Sequence, residues 1–201
     1  MSKIILCMGV MGSGKDYRAH QHYWDGCVRV DFKDALRKHV YDLIGYTPLD
    51  YERFKRCVVG LDSIPGGVAL SNWALKLAPR LPTGRTVLQR LGTEVFRRRD
   101  PGYWVRNALV TIKDLNASGH DVVIADCRFP NELSAVINYA AETRITLCPV
   151  FCDYRSTRYD AENPHESEKM SQKLLALATA AGLKDGDKIP MEILLKLIHE
   201  A

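Results

Sequence analysis

Short, almost entirely apolar runs recur along the chain and predict the strands of a sheet. Residues 4–8 read Ile-Ile-Leu-Cys-Met, and residues 122–125 form a second run of the same kind. Residues 27–30 and 144–151 are a shorter and a longer candidate, and residues 184–189 are at best a short fifth strand. Nearly continuous apolar runs of this length are typical of parallel strands covered on both faces. We therefore expect a parallel sheet of four to five strands.

Longer segments with apolar residues at helical spacing lie between these runs. Residues 32–44 are one example, with Asp31 as the expected cap. Other helices are predicted from residue 15, over 86–96, from 100 to 117, after residue 130, over 167–181 and over 190–200. Alternating strands and helices predict an α/β fold with three layers, α/β/α. Ligands of such folds bind beyond the carboxyl ends of the strands, here residues 9–16, 31–37 and 126–132.

The composition fits one compact domain and excludes several other classes of protein. The chain has 201 residues, of which 46% are hydrophobic and 26% charged, so it can build a core. No apolar run approaches the roughly 18 residues of a membrane span, and the first residues enter a strand and a glycine turn, unlike a signal peptide. The six cysteines are scattered without a Cys-x-x-Cys pair, which indicates buried free thiols in a reducing compartment.

Charge is concentrated in one stretch. The whole chain carries +4, whereas residues 80–106 contain seven arginines, no lysine and two acidic residues, a net +5. Planar guanidinium groups suit phosphate oxygens. A solvated basic face and a footprint for nucleic acid explain the same charge equally well. Of the run Arg97-Arg98-Arg99, at least one must be surface charge, because three successive helical residues cannot face one ligand.

The strongest motif is a glycine-rich loop between the first strand and the helix from residue 15. Its residues fit the pattern G-x-x-x-x-G-K of a phosphate-binding loop. Glycines let successive backbone N–H groups point into one concavity, and the helix N-terminus adds positive charge. Asp16 replaces the usual Ser or Thr, and it either binds Mg²⁺ or is a favourable acid in the first helical turn. The predicted nucleotide-binding residues are Gly9, Met11, Gly12, Ser13, Gly14, Lys15 and Asp16.

A second candidate segment follows the strand at residues 122–125. Asp126 at a strand end beside a phosphate loop is placed to anchor Mg²⁺ and its waters, with a strand-end cap as the alternative. Arg128 is placed to bind phosphoryl oxygens, with a salt bridge to Glu132 as the alternative. Asp16 and Asp126 are thus the predicted metal ligands.

The arginine-rich stretch also carries groups suited to a base. Gln89 and Thr93 can hydrogen-bond a base edge, and Trp104 either stacks on a base or belongs to the core. Arg155 and Arg158 lie in a polar, lid-like segment at residues 153–168, where they either close over a transferring phosphoryl group or are incidental surface charge. No nucleophile–base arrangement stands out. This fits phosphoryl transfer to an acceptor that is itself a phosphate, which needs positioning and cations rather than a general base.

Taken in order, these stretches resemble the deoxynucleoside monophosphate kinases of tailed bacteriophages, within the P-loop nucleoside monophosphate kinase superfamily. The matching stretches are residues 9–16, 32–36, 88–94 with 103–105, 123–132 and 165–168. The resemblance implies a P-loop kinase fold with a helical acceptor-binding insertion, residues 31–106, and a short lid. It implies ATP and Mg²⁺ as cofactors and a deoxynucleoside monophosphate as substrate.

The same resemblance supplies roles for individual residues. It implies catalysis by Lys15, Asp126, Arg128, Arg155 and Arg158. It implies acceptor binding by Lys33, Arg37, Gln89, Arg90, Thr93, Trp104, Arg128 and Glu132. Tyr17 departs from the family, in which a small hydroxyl residue is common at this position.

Location and partners are also expectations of the resemblance. It implies a cytoplasmic protein, in a host bacterium if the chain comes from a phage. We expect no membrane and no nucleic acid as a partner, and a homodimer stays open. Three alternatives remain. One is a P-loop kinase for another small acceptor such as dephospho-coenzyme A, another is an ATP-dependent nucleic-acid-binding module, and the third is a nucleotide-binding regulator without catalysis.

Overall fold

The structure is a computed structural model that describes residues 2–44, 47–57, 83–154 and 166–199. The chain divides into two compact units. The first comprises Met1–Phe32 and Val105–Ala201, and the second comprises Lys33–Trp104. The second unit falls within the predicted insertion, residues 31–106, and its assignment to an acceptor stays a prediction.

A parallel sheet forms the centre of the first unit. Its strands are β1 (Lys3–Met8), β2 (Val28–Arg29), β3 (Val122–Ile124) and β4 (Thr146–Phe151), in the order β2-β3-β1-β4. Every strand pair is parallel, with Leu6 opposite Ile124 on one side of β1 and Pro149 on the other. The four predicted strands are therefore confirmed within the described ranges. Residues 184–189 contribute only one antiparallel bridge, between Lys188 and Val150, at the edge of β4.

The helices agree with the predicted segments to within a few residues, with the exception of the helix at Pro48–Arg56, which lies in a stretch for which no helix bounds were predicted. They are α1 (Lys15–Trp24), α2 (Asp34–Ile44), α3 (Pro48–Arg56), α4 (Gly84–Arg90), α5 (Tyr103–Ala117), α6 (Pro130–Thr143), α7 (Glu166–Ala180) and α8 (Met191–His199), and a π-helical segment, Leu91–Arg97, continues directly from α4. The start of α2 differs from the prediction: the helix begins at Asp34, two residues after the predicted start at residue 32. No helix among the described residues is long and apolar enough to cross a membrane.

Alternate residues of β1 point to opposite faces of the sheet, and each face has its own core. Ile4, Leu6 and Met8 pack with buried residues of α5, α6, α7 and α8, whereas Ile5 and Cys7 pack on the other face with Ala19 of α1. Helices thus cover both faces, which confirms the three-layer α/β/α fold. It also explains the continuous apolar pattern of β1, because neither face meets water.

The second unit packs α2 and α3 with the continuous helix formed by α4 and the π-helical segment. Phe54 of α3 is buried, and its carbonyl lies so close to Gly84 that any side chain at this position would overlap it. Gly92 of the π-helical segment is closely approached by Leu36 of α2. Glycine at both positions therefore permits close helix packing.

The cysteines agree with the expected thiol chemistry. All six lie within the described ranges and are free, and Cys7, Cys27, Cys127 and Cys152 are buried. Cys57 and Cys148 are partly exposed. The expectation of burial therefore holds for four of the six.

Candidate functional site

The loop from Gly9 to Lys15 adopts a conformation that depends on glycine. Gly12 and Gly14 have φ values of 84° and 92°, in the left-handed region that other residues rarely adopt. A side chain at Gly9 would overlap the Cys152 carbonyl oxygen and the Ser13 hydroxyl. The chain leaves β1 at Met8 and enters α1 at Lys15, so the loop ends at the N-terminus of that helix. This is the strand–loop–helix arrangement that the motif predicts.

Two side chains inside this loop are suited to bind an anion. The Lys15 ammonium group is buried, with 6% of the residue exposed, and it donates a hydrogen bond to the Val10 carbonyl at 3.0 Å. The Ser13 hydroxyl is fully buried and has no hydrogen-bond partner among the described residues. An unpaired buried hydroxyl costs about 1–3 kcal/mol. A phosphate oxygen in the loop would accept from it and from Lys15, so the loop's own chemistry fits a phosphate group.

The segment that follows β4 is hydrogen-bonded to the end of β1 and to the glycine loop. The Cys152 amide donates to the Met8 carbonyl at 2.8 Å, and the Tyr154 amide donates to the Ser13 carbonyl at 3.0 Å. Cys7 and Cys152 interact through their thiols: the hydrogen bond with Cys152 and burial raise the pKa of Cys7. The same hydrogen bond lowers the pKa of Cys152, and both thiols are buried at the base of the loop.

A network at Asp185 fixes the same segment from the other side. One Asp185 carboxylate oxygen accepts from the Asp153 amide at 2.8 Å, and the other pairs with the Arg18 guanidinium of α1 at 2.5 Å. Burial, and then the neighbouring Asp185 carboxylate, raise the pKa of Asp153. The loop is thus supported by α1, by the end of β4 and by residues 183–189.

Asp16, the residue that departs from the loop motif, is held by an arginine that sequence reasoning missed. The Arg29 guanidinium pairs with the Asp16 carboxylate at 2.5 Å and with Asp31 at 3.1 Å. Burial alone would lower the pKa of Arg29, but the Asp31 and Asp16 carboxylates outweigh it and raise that pKa. The Asp31 side chain is 1% exposed, so Arg29 compensates its buried charge. Arg29 and Asp31 lie at the end of β2, and this position was the signal in the sequence that could have identified them as site residues.

Asp126 lies beside the loop because β3 pairs with β1. Leu6 is opposite Ile124, so the chain leaves both strands at the same edge of the sheet. Asp126 is buried, and its Oδ1 accepts from the Phe32 amide at 2.8 Å. One role of this carboxylate is therefore to fasten the chain beyond β2 to the end of β3. Its predicted metal contact stays a prediction.

The ion-pair partner of the Arg128 side chain is not Glu132, which was the alternative considered from the sequence. The Arg128 guanidinium pairs with Glu168 of α7, whose side chain is 4% exposed. Glu132 is buried, and its Oε2 accepts from the backbone amides of Arg128, at 2.7 Å, and Phe129, at 3.1 Å. Glu132 thus caps α6, and the structure assigns the salt bridge of Arg128 to Glu168. Substrate contacts of Arg128 and Glu132 stay predictions.

The other predicted acceptor residues lie in the second unit. Lys33 precedes α2 and is partly exposed, and Arg37 pairs with Asp34 at 2.8 Å. Gln89, Arg90 and Thr93 lie on α4 and the π-helical segment, a helix type that is rare and often found at functional sites. These residues are described within the second unit alone, and their contact with an acceptor is untested.

Trp104 occupies the core of the second unit. Its indole N–H donates to the Gly92 carbonyl at 3.0 Å, and its ring lies against Phe96 and Tyr103. The residue is 4% exposed, so it packs as the core alternative describes. Arg98 and Arg99 are exposed whereas Arg97 is buried, which confirms that the three arginines do not face one ligand. Arg155 and Arg158 lie outside the described residues.

The donor set predicted for a metal from the sequence consists of two carboxylates, those of Asp16 and Asp126. Among the residues that the structure describes, no three His, Cys, Asp or Glu side chains form a metal-binding cluster. Mg²⁺ bound to nucleotide phosphates takes only one or two carboxylates and keeps several waters. Asp16 and Asp126 supply oxygen ligands of that kind, so the residues present fit this mode and not a cage built from protein alone.

Three comparisons with known proteins add little to this picture. No protein-family profile matches the chain, and no curated protein matches it. Among solved structures, it is similar to a cysteine-to-alanine mutant of an APS kinase from Mycobacterium tuberculosis. The alignment covers 89% of this chain and 97% of the other, with 16% sequence identity and a TM-score of 0.31. A similarity at that level carries no conclusion about fold or function.

Proposed function

We propose that this chain transfers the γ-phosphoryl group of ATP to a deoxynucleoside 5′-monophosphate, giving ADP and the deoxynucleoside diphosphate. The observation that carries the proposal is the glycine loop between β1 and α1. The loop places a buried ammonium group and a buried, unpaired hydroxyl, those of Lys15 and Ser13, at a helix N-terminus. This combination binds phosphate oxygens and stabilises charge that develops on them.

The roles of the chain's own residues follow from their positions. An oxygen of the acceptor phosphate attacks the γ-phosphorus, and the bond from that phosphorus to the β–γ bridging oxygen breaks, so ADP leaves with the electron pair. The loop amides and Lys15 would hold the phosphates, and Arg128 would bind oxygens of the transferring group. Glu168 would keep the Arg128 guanidinium in place. Such a reaction needs positioning and cations and no general base.

The proposed metal has a limited and separate role. Mg²⁺, when bound with the nucleotide, supplies positive charge to the β- and γ-phosphate oxygens. We assign its protein ligands to Asp16 and Asp126. Arg29 would orient the Asp16 carboxylate, since it holds an oxygen of that side chain at 2.5 Å.

The acceptor is proposed from the sequence resemblance and from the arginine-rich stretch. The motif at residues 88–94 lies on α4 and the π-helical segment, so Gln89, Arg90 and Thr93 belong to one continuous helix. Arginine binds the phosphate of an acceptor in fork geometry, and an amide such as Gln89 hydrogen-bonds a base. These residues favour an acceptor that has both a phosphate and a base.

An acceptor panel tests the proposal. ADP formation is measured with ATP, Mg²⁺ and each of the four common deoxynucleoside monophosphates, with dephospho-coenzyme A as a non-nucleotide acceptor. We expect turnover with at least one deoxynucleotide. Turnover only with the non-nucleotide acceptor would replace the acceptor assignment, and salt-sensitive DNA binding without any turnover would favour the nucleic-acid-binding alternative.

Variants then connect the activity to the loop. Lys15→Ala should reduce turnover by roughly 10²-fold or more, because it removes a preorganised charge from the transferring phosphates. Lys3→Ala is the matched control, since the Lys3 ammonium group forms a solvent-accessible pair with Asp121 at 3.5 Å and its removal should leave turnover unchanged. Full activity of Lys15→Ala would remove the loop from the mechanism.

A further inference from the structure

Two large aromatic rings stand in solvent beside the phosphate loop. Tyr17 is 58% exposed and Tyr154 is 68% exposed. The rings stack on each other, with their centroids 6.0 Å apart and their planes 27° apart. Exposed aromatic surface of this extent beside a polar loop is typical of a binding surface.

The backbone fixes both rings to the loop. Tyr17 is in the first turn of α1, two residues after Lys15. Tyr154 donates its backbone N–H to the Ser13 carbonyl, and its Cβ lies 3.2 Å from where a side chain on Gly14 would begin. The glycine therefore leaves room for Tyr154 directly against the loop, and the stacking contact places Tyr17 beside Tyr154.

We propose that the Tyr17–Tyr154 pair is the platform on which the base of the donor nucleotide stacks. The inference rests on the proposed function, because it takes a nucleoside triphosphate as the ligand of the loop. Each ring turns one face toward its partner, so a base would extend the stack on an outer face. Because every base has an aromatic face, stacking of this kind binds without reading hydrogen-bonding groups. The platform therefore predicts similar binding of ATP and GTP.

The proposal explains why position 17 is a tyrosine, where the kinases that the sequence resembles commonly have a small hydroxyl residue. A small hydroxyl residue at that position would leave Tyr154 without its stacking partner. The side chain at position 17 is thus assigned to the base of the nucleotide rather than to its phosphates or its metal.

Binding measurements with and without a base test the platform. ATP, GTP and inorganic tripolyphosphate are titrated into the full chain by calorimetry, first with the unmodified protein. Tyr17→Ala and Tyr154→Ala should each weaken ATP and GTP binding by about tenfold, the effect of losing one stacking ring. Tripolyphosphate binding should stay unchanged, because it contacts only the loop. Tyr17→Phe and Tyr154→Phe should bind like the unmodified protein.

Tyr23 provides the matched control. It is on the same helix and 53% exposed, and it makes an edge contact with His20. Tyr23→Ala should therefore bind ATP normally. Loss of ATP binding in Tyr23→Ala equal to that in Tyr17→Ala would overturn the platform, because exposed tyrosine in general would then be responsible.

The outcomes separate this inference from the proposed function. Equal weakening of ATP and tripolyphosphate in the alanine variants, or no weakening of either, overturns the platform. The platform is also overturned if the unmodified protein binds ATP no more tightly than tripolyphosphate. In that case the assignment of the glycine loop to phosphate binding is retained. A protein that binds neither ligand overturns both proposals. Base-dependent ATP binding without turnover on any acceptor supports the platform and refutes the kinase.

Discussion

Removal of either partner of the Arg128–Glu168 pair should destabilise the protein, and the two losses should be unequal. The Glu168 side chain is 4% exposed, whereas that of Arg128 is 27% exposed. Arg128→Met therefore leaves a carboxylate buried without its cation, which costs about 3 kcal/mol, the lower end for a broken buried pair. Glu168→Gln leaves the more exposed group unpaired and retains an acceptor oxygen, so its cost should be about 1 kcal/mol.

Urea denaturation at pH 7 measures both losses, and thermal unfolding checks them. For a chain of this size, 1 kcal/mol corresponds to roughly 2–4 °C, so Arg128→Met should lower Tm by roughly 6–12 °C. The double variant Arg128→Met/Glu168→Gln should be more stable than Arg128→Met alone, because no unpaired carboxylate remains. Equal costs for the single variants, with a double variant at their sum, would refute the reasoning.

Three further predictions concern other parts of the site and the fold. Gly9→Ala should cost about 3 kcal/mol or prevent folding, because its side chain would overlap the Cys152 carbonyl. Gly119→Ala, at φ 83° but in open space, should cost only about 1 kcal/mol in the same urea assay. Ser13→Ala should leave the ligand-free chain as stable or up to about 1 kcal/mol more stable, and it should weaken tripolyphosphate binding; clear destabilisation would show that the hydroxyl is paired. Burial lowers the pKa of His22, so the unfolded chain binds its proton first, and stability is lost as pH falls below about 6.5. His22→Gln should flatten that part of the pH profile, and an unchanged profile would contradict it.

The order of strands and helices could be predicted because burial leaves a periodic trace in the sequence. β1 is covered by α1 on one face and by four helices on the other, so its residues are continuously apolar. The loop could be predicted for a similar reason, since only glycine adopts the backbone of positions 12 and 14 without strain. In both cases one local segment carries the whole signal.

The partners of the charged residues could not be predicted in this way. Arg29 bridges Asp16 and Asp31, which are 13 residues and 2 residues away along the chain. Glu168 is 40 residues from Arg128, whereas the candidate partner Glu132 is only four away. An ion pair requires only that two groups meet in space, so its sequence spacing carries no periodic signal.

The sequence by itself therefore determined the α/β layering, the places where the strands end and the glycine loop with Lys15. These follow from local rules of burial, helix initiation and glycine conformation. Only the tertiary structure decided that Glu132 caps a helix, that Trp104 packs in a core, that Arg29 holds Asp16 and that Tyr17 stacks on Tyr154. Each of these depends on which segments the fold brings into contact, and the side chains alone allow several partners.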